Sequence, residues 1–80
     1  MPRFLVHHRH LARECGIAYS SFKGHESPLR HTAALSSCPC GEHSIWWTVE
    51  AATDADALAM LPFFIAQRSA AIAVTEVQIP

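Results

Sequence analysis

A cysteine-containing turn between two predicted strands, in residues 31–51, constrains the fold of this chain more than any other feature. We expect a β-hairpin with arms at about 31–37 and 43–50 and a turn at 38–42. The second arm is rich in the β-branched and aromatic residues that favour strands. Side chains alternate between the two faces of a strand, which places Ile45, Trp47 and Val49 on one face and Trp46, Thr48 and Glu50 on the other.

Composition narrows the classes of protein to which the chain can belong. Half of its 80 residues are hydrophobic and only 16% are charged, which is too apolar for a disordered chain and suits one small domain. A net charge of −1 gives no electrostatic basis for binding nucleic acid or an anionic membrane. No apolar run reaches the roughly 20 residues of a membrane helix, and no signal peptide is recognisable. We therefore expect reduced cysteines and a cytoplasmic location.

The order of predicted elements points to one fold class. A strand at 3–9 and a helix at 12–23 precede the hairpin; a helix opened by Thr53, an apolar connection at 63–68 and a strand at 71–79 follow it. The first helix should bury one apolar stripe, made of Leu11, Cys15, Ala18, Tyr19 and Phe22. This order predicts an α+β, ferredoxin-like βαββαβ domain, with a four-stranded antiparallel sheet and two helices on one face. Trp46 on the open face predicts a homodimer.

Several short segments resemble the dimeric α+β-barrel superfamily. They are VEAATDADAL at 49–58, LPFF at 61–64, and the termini MPRFLV and VTEV. The LPFF segment resembles muconolactone isomerase-like proteins, and the termini resemble small nickel-binding bacterial proteins. The resemblance implies a two-fold dimer whose open sheet faces meet. It implies no single activity, because the superfamily contains isomerases, monooxygenases and binding proteins.

The predicted topology brings six possible nitrogen and sulfur ligands to one rim of the sheet. The end of the first strand, the start of the first helix and the hairpin turn should meet there, which gathers His8, His10, Cys15, Cys38, Cys40 and His43. Three ligands could come from the turn itself, Cys38, Cys40 and His43, with His10 or Cys15 as the fourth. Thiolate and imidazole ligands favour Ni, Zn, Cu or Fe, although Cys-x-Cys is a tighter spacing than the usual zinc pair. We predict a transition-metal site and no organic cofactor.

The sequence is also compatible with other interpretations of these residues. Cys15 could be a small core residue, and the histidines could be hydrogen-bonded surface groups. A small-molecule isomerase or cofactor-free oxygenase would need a pocket, for which Trp46, Tyr19 and Glu50 are the candidate lining residues, with catalysis by a histidine or by Glu50 as general base. A ligand-binding or subunit-interaction module without catalysis is the third possibility.

Overall fold

The α+β fold is built on a four-stranded antiparallel sheet, in a computed structural model that describes all 80 residues. The strands are β1 (Arg3–Arg9), β2 (Leu35–Ser36), β3 (Ser44–Glu50) and β4 (Ser69–Val74). The helices are α1 (Cys15–Ser20), α2 (Asp54–Leu58) and α3 (Phe63–Ala66), and single 3-10 turns occupy Ala12–Glu14 and Cys38–Cys40. The strand order β2-β3-β1-β4 is consistent with a ferredoxin-like fold, as predicted.

One face of the sheet carries the core. On the central strands, Phe4 and Val6 pair with Val49 and Trp47, and all four side chains are buried. The three helices contribute further residues to the same core, among them Ala18, Ala57 and Ile65. The period-2 alternation predicted for β3 is therefore confirmed, because Ile45, Trp47 and Val49 point inward.

The inward face of β1 stays buried to its end. His8 is fully buried and His10, just past the strand, is 5% exposed. Burial of two histidines at the end of an apolar strand requires polar partners for their ring nitrogens. No buried side-chain nitrogen or oxygen lacks a hydrogen bond, so the fold supplies those partners.

The first helix is shorter than predicted, and its apolar stripe is only partly correct. Instead of running from 12 to 23, the chain makes a 3-10 turn and then a six-residue helix. The Ser20 and Ser21 hydroxyls donate to the carbonyls of Ile17 and Ala18, and this local bonding competes with helix extension. Ala18 is buried, but Leu11 and Tyr19 are 53% and 49% exposed, so the predicted stripe does not form one buried face.

The later elements differ from prediction mainly at their ends. The first hairpin arm pairs only over Leu35–Ser36, and the last strand is Ser69–Val74 rather than 71–79. The predicted cap of α2 is confirmed, because Thr53 Oγ1 accepts a hydrogen bond from the Asp56 amide at 3.1 Å. None of the helices has both the length and the apolar character that crossing a membrane requires.

The outer face of the sheet has no helix against it and carries several apolar side chains. Trp46 stacks on His7 with ring centroids 5.0 Å apart, while Leu35 and Ile72 are 75% and 61% exposed. Homodimerisation through this face stays a prediction, since the structure is that of one chain.

Candidate metal centre

Four side chains converge at the rim where β1 ends and β3 begins. They are His10, Cys15, Cys38 and His43, and each presents one nitrogen or sulfur atom to the others. All four atoms lie within 4.8 Å of one another. Because all four are groups that bind transition metals, the cluster could hold a metal ion.

Strand pairing places the two histidines of the cluster. Arg9, at the end of β1, pairs with Ser44, at the start of β3, and the His10 amide donates to the His43 carbonyl at 3.1 Å one step beyond them. His10 keeps the inward direction of Val6 and His8, as strand alternation requires. The two imidazoles consequently lie side by side, with ring centroids 5.8 Å apart.

The first helix places Cys15. The Glu14 carboxylate accepts a hydrogen bond from the Leu11 amide at 2.8 Å and a second, at 3.4 Å, from the Arg68 guanidinium. The first bond closes the 3-10 turn on itself, and the second ties the turn to Arg68, two residues after α3. Cys15, the first residue of α1, is thereby directed at the histidines.

The hairpin turn places Cys38. Its 3-10 turn is closed by hydrogen bonds from the amides of Cys40 and Glu42 to the Ser37 carbonyl, at 2.8 and 3.2 Å. Gly41 follows with a φ of 96°, which glycine adopts without strain. His43 then has a φ of 55°, an unusual conformation for a non-glycine residue and one that often marks a functional position.

The contacts within the cluster approach the dimensions of a tetrahedral site. His10 Nε2 lies 3.3 Å from the sulfurs of both Cys15 and Cys38, and His43 Nδ1 lies 3.1 Å from the Cys15 sulfur. With Zn–S near 2.3 Å and Zn–N near 2.0–2.1 Å, a regular tetrahedron separates nitrogen from sulfur by about 3.6 Å. These three contacts are therefore within a few tenths of an ångström of tetrahedral spacing, and closing the wider separations, which reach up to 4.8 Å, would complete a coordination shell.

A chain of hydrogen bonds leads from the cluster into the core. His10 Nδ1 and His8 Nε2 are 2.9 Å apart, and His8 Nδ1 lies 3.3 Å from the Ser69 hydroxyl. The Ser69 hydroxyl donates to the Ile65 carbonyl at 2.6 Å. These bonds account for the polar atoms that His8 and His10 bring into the apolar interior.

Burial favours the neutral form of His8 and His10, the two histidines of this hydrogen-bond chain. Loss of solvation lowers the pKa of His8, and proximity to His10 lowers it further. Loss of solvation also lowers the pKa of His10, with a second contribution from His43. A neutral imidazole is the form that binds metal.

The two thiols differ in acidity. Burial raises the pKa of Cys15, and its hydrogen bond to Cys38 raises it further. Burial also opposes ionisation of Cys38, but hydrogen bonds outweigh this effect and lower the pKa of that thiol. The groups beside Cys38 that lower its pKa are the hydroxyls of Tyr19 and Ser36 and the thiol of Cys15. Cys38 is thus the thiol that is better prepared to act as a thiolate.

The structure brings together four of the six predicted ligands and separates the other two. Cys40, predicted as one of three ligands from the turn, is exposed and lies outside the cluster, because the 3-10 turn sends its side chain away from Cys38. His8 contacts His10 and Ser69 rather than the ligand atoms. Both alternatives for the fourth ligand, His10 and Cys15, are present. Cys15 therefore lies in the cluster instead of serving as a plain core residue.

The predicted small-molecule pocket does not form from the expected residues. Tyr19 lines a cavity of about 270 Å³ between α1 and the sheet, whereas Trp46 lines a groove of about 540 Å³ that contains the outer-face residue Leu5. Glu50 lines a third depression, with Arg3 and Glu76. The three residues therefore do not line one common pocket, although the cavities of Tyr19 and Trp46 adjoin and share Leu29, Thr32, Ala34 and Trp47.

Sequence reasoning missed the partners that support the cluster. Ser69 opens β4 and Ser36 ends β2, and neither has a local motif that predicts its role. Ser36 Oγ contacts the Tyr19 hydroxyl at 2.9 Å and accepts from the Cys38 amide at 3.2 Å. The alternation of β1 was the available signal for His8, since it placed His8 and His10 on the same face.

Comparisons with protein-family models, with curated proteins and with solved structures find no match for this chain.

Proposed function

We propose that this protein binds a zinc ion, or an ion of similar preference, through His10, Cys15, Cys38 and His43. The observation that carries the proposal is the convergence of their four ligand atoms within 4.8 Å. The ligands come from four different parts of the chain, namely the end of β1, the start of α1, the 38–40 turn and the residue before β3. The fold must therefore position four separate segments to bring these atoms together, which neighbouring residues of one surface loop would not require.

The type of ligand favours zinc. Two thiolates and two neutral imidazoles form a common structural zinc set, and they suit zinc better than the oxygen-seeking Mg²⁺ or Ca²⁺. Two thiolates also balance the charge of a divalent ion, so the bound site is neutral overall and compatible with partial burial. Nickel, copper and iron accept the same ligands and are the competing ions.

A site with four protein ligands favours binding over catalysis. Catalytic zinc sites use three protein ligands and keep a position for water or substrate, whereas closed four-ligand sites are structural. Here the ion would link β1, α1 and the hairpin. Because Cys15, Cys38 and His43 are each partly exposed, the ion would lie near the surface, where exchange with a dissolved ion is feasible. This position suits a metal carrier, buffer or sensor.

Metal content of the purified protein tests the proposal. Protein made without a histidine tag should contain one equivalent of metal by elemental analysis. The Cys38→Ser variant should lose it, because one thiolate is removed from the shell. Cys40→Ser is the matched control: it changes the same residue type two positions away, outside the cluster, and should keep the metal.

One outcome of these metal measurements would contradict the proposal. A chain with six histidines can bind nickel or copper adventitiously, and such binding would not depend on Cys38. Equal metal content in wild type, Cys38→Ser and Cys40→Ser would show that the cluster is not the site.

A further inference from the structure

We infer that His8 and Ser69 are positioning residues that hold His10 in the tautomer able to bind metal through Nε2. This inference rests on the proposed metal function. It assigns a role to two side chains that lie outside the coordination shell. It follows from which atom must carry the proton in each hydrogen bond between the Ile65 carbonyl and His10.

The Ile65 carbonyl, at the inner end of this hydrogen-bond chain, determines which atom donates and which accepts in every bond of the chain. A carbonyl oxygen only accepts, so at 2.6 Å from the Ile65 carbonyl the Ser69 hydroxyl must direct its proton there. The Ser69 oxygen is then an acceptor for His8. His8 Nδ1, 3.3 Å away, must therefore carry the proton of the neutral ring.

The same reasoning continues to His10. A neutral His8 with its proton on Nδ1 has an unprotonated Nε2, which can only accept. His10 Nδ1 lies 2.9 Å from it and must donate. The neutral His10 ring is then unprotonated at Nε2, the atom that lies 3.3 Å from both Cys15 and Cys38.

The environment enforces this arrangement. His8 is 0% exposed and His10 is 5% exposed, so water cannot readily replace a partner in the chain. Metal-binding histidines generally donate their second ring N–H to an outer partner, which fixes the tautomer and the ring orientation. A second histidine, fixed in turn by a serine and a backbone carbonyl, would perform that role here.

The tautomer of His10 can be measured directly on the wild-type protein. Long-range ¹⁵N–¹H correlation spectra of the reduced, metal-free protein at pH 7.5 should show His10 protonated at Nδ1, the form that neutral histidine in water disfavours. His8 should show the same Nδ1–H form. A His10 ring protonated at Nε2 would overturn the inference, and this result needs no variant that might fail to fold.

Three variants test the consequence for metal binding. His8→Leu removes the acceptor for His10 and should weaken zinc binding about 10- to 100-fold, the range seen when outer-shell partners of metal ligands are removed. His8→Gln retains an amide oxygen that can accept from His10, and its affinity should be closer to wild type than to His8→Leu. His7→Leu, at the exposed neighbouring position, is the matched control and should leave affinity unchanged.

Zinc affinity is measured by competition with a chromogenic chelator, and the unfolding temperature of each metal-free variant is recorded beside it. A purely structural role would lower stability in both His8 variants without separating their affinities. Equal affinities for wild type and a folded His8→Leu variant would overturn the inference while leaving the metal site intact. Absence of zinc binding in wild type would instead overturn the proposed function, and the tautomer spectra would still decide the arrangement of the chain.

Discussion

Zinc should raise the thermal stability of this domain through the four-residue cluster. An ion that binds only the folded chain stabilises it by about 2.7 kcal/mol when its free concentration is 100 times Kd. For a domain of this size each kcal/mol corresponds to about 4–8 °C, so the unfolding temperature should rise by about 11–22 °C. Thermal unfolding followed by circular dichroism, with zinc held by a chelator buffer, measures the shift.

The structure indicates why the shift should depend on folding. His10 and Cys15 are separated from Cys38 and His43 by more than 20 residues and meet only when β1 pairs with β3. The unfolded chain retains only the local Cys38, Cys40 and His43, and any affinity of that segment reduces the shift. The reasoning would be refuted if Cys38→Ser kept the full shift, or if Cys40→Ser lost it.

Three further results are expected from the same structure. Burial lowers the pKa values of His8 and His10 below the ordinary 6.5, so the unfolded state takes up more protons than the folded state in mild acid. Urea unfolding of the metal-free protein should therefore show a free energy of unfolding that rises with pH up through 6.5. A free energy that stays constant over this range would contradict the pKa shifts. Ile65→Ala should destabilise the fold by about 2–5 kcal/mol in urea unfolding, because Ile65 is fully buried. Ile79 is exposed, and Ile79→Ala should change the free energy of unfolding by less than about 0.5 kcal/mol. Equal effects of the two substitutions would contradict the assigned core. If the outer sheet face forms a homodimer, as we propose, Trp46→Glu should yield a monomer in analytical ultracentrifugation, and an unchanged sedimentation coefficient would contradict that interface.

The general fold could be predicted because its signals are periodic. Alternation along β3 identified the buried face that contains Trp47, and the Thr53 cap marked the start of α2. The strand order then implied that the ends of β1 and of the first hairpin arm share one rim. That topological argument predicts from the sequence alone that His10 and Cys38 lie close together.

The choice among candidate ligands could not be predicted, because it depends on backbone conformation within the turn. The 3-10 geometry at 38–40 separates the two cysteine side chains, and the left-handed conformations of Gly41 and His43 redirect the chain just before β3. Strand spacing alone carries no information on those angles. The role of His8 depended on Ser69, a residue 61 positions away that only tertiary packing brings near.

The length of the first helix was overestimated for a related reason. Apolar spacing suggested a stripe through Leu11 and Tyr19, but both side chains are about half exposed. The helix is instead limited by local hydrogen bonds from its serines and by the 3-10 turn that Glu14 closes. Its position matters more to the site than its length, because its first residue is Cys15.

X-ray absorption spectroscopy at the zinc edge of the stoichiometrically loaded protein tests the central claim most directly. The account predicts two sulfur ligands at about 2.3 Å and two nitrogen ligands at about 2.0–2.1 Å. The Cys40→Ser variant should give the same spectrum. A shell of three sulfurs that loses one in Cys40→Ser, or a shell of nitrogen and oxygen alone, would contradict the assignment of His10, Cys15, Cys38 and His43 as the metal site.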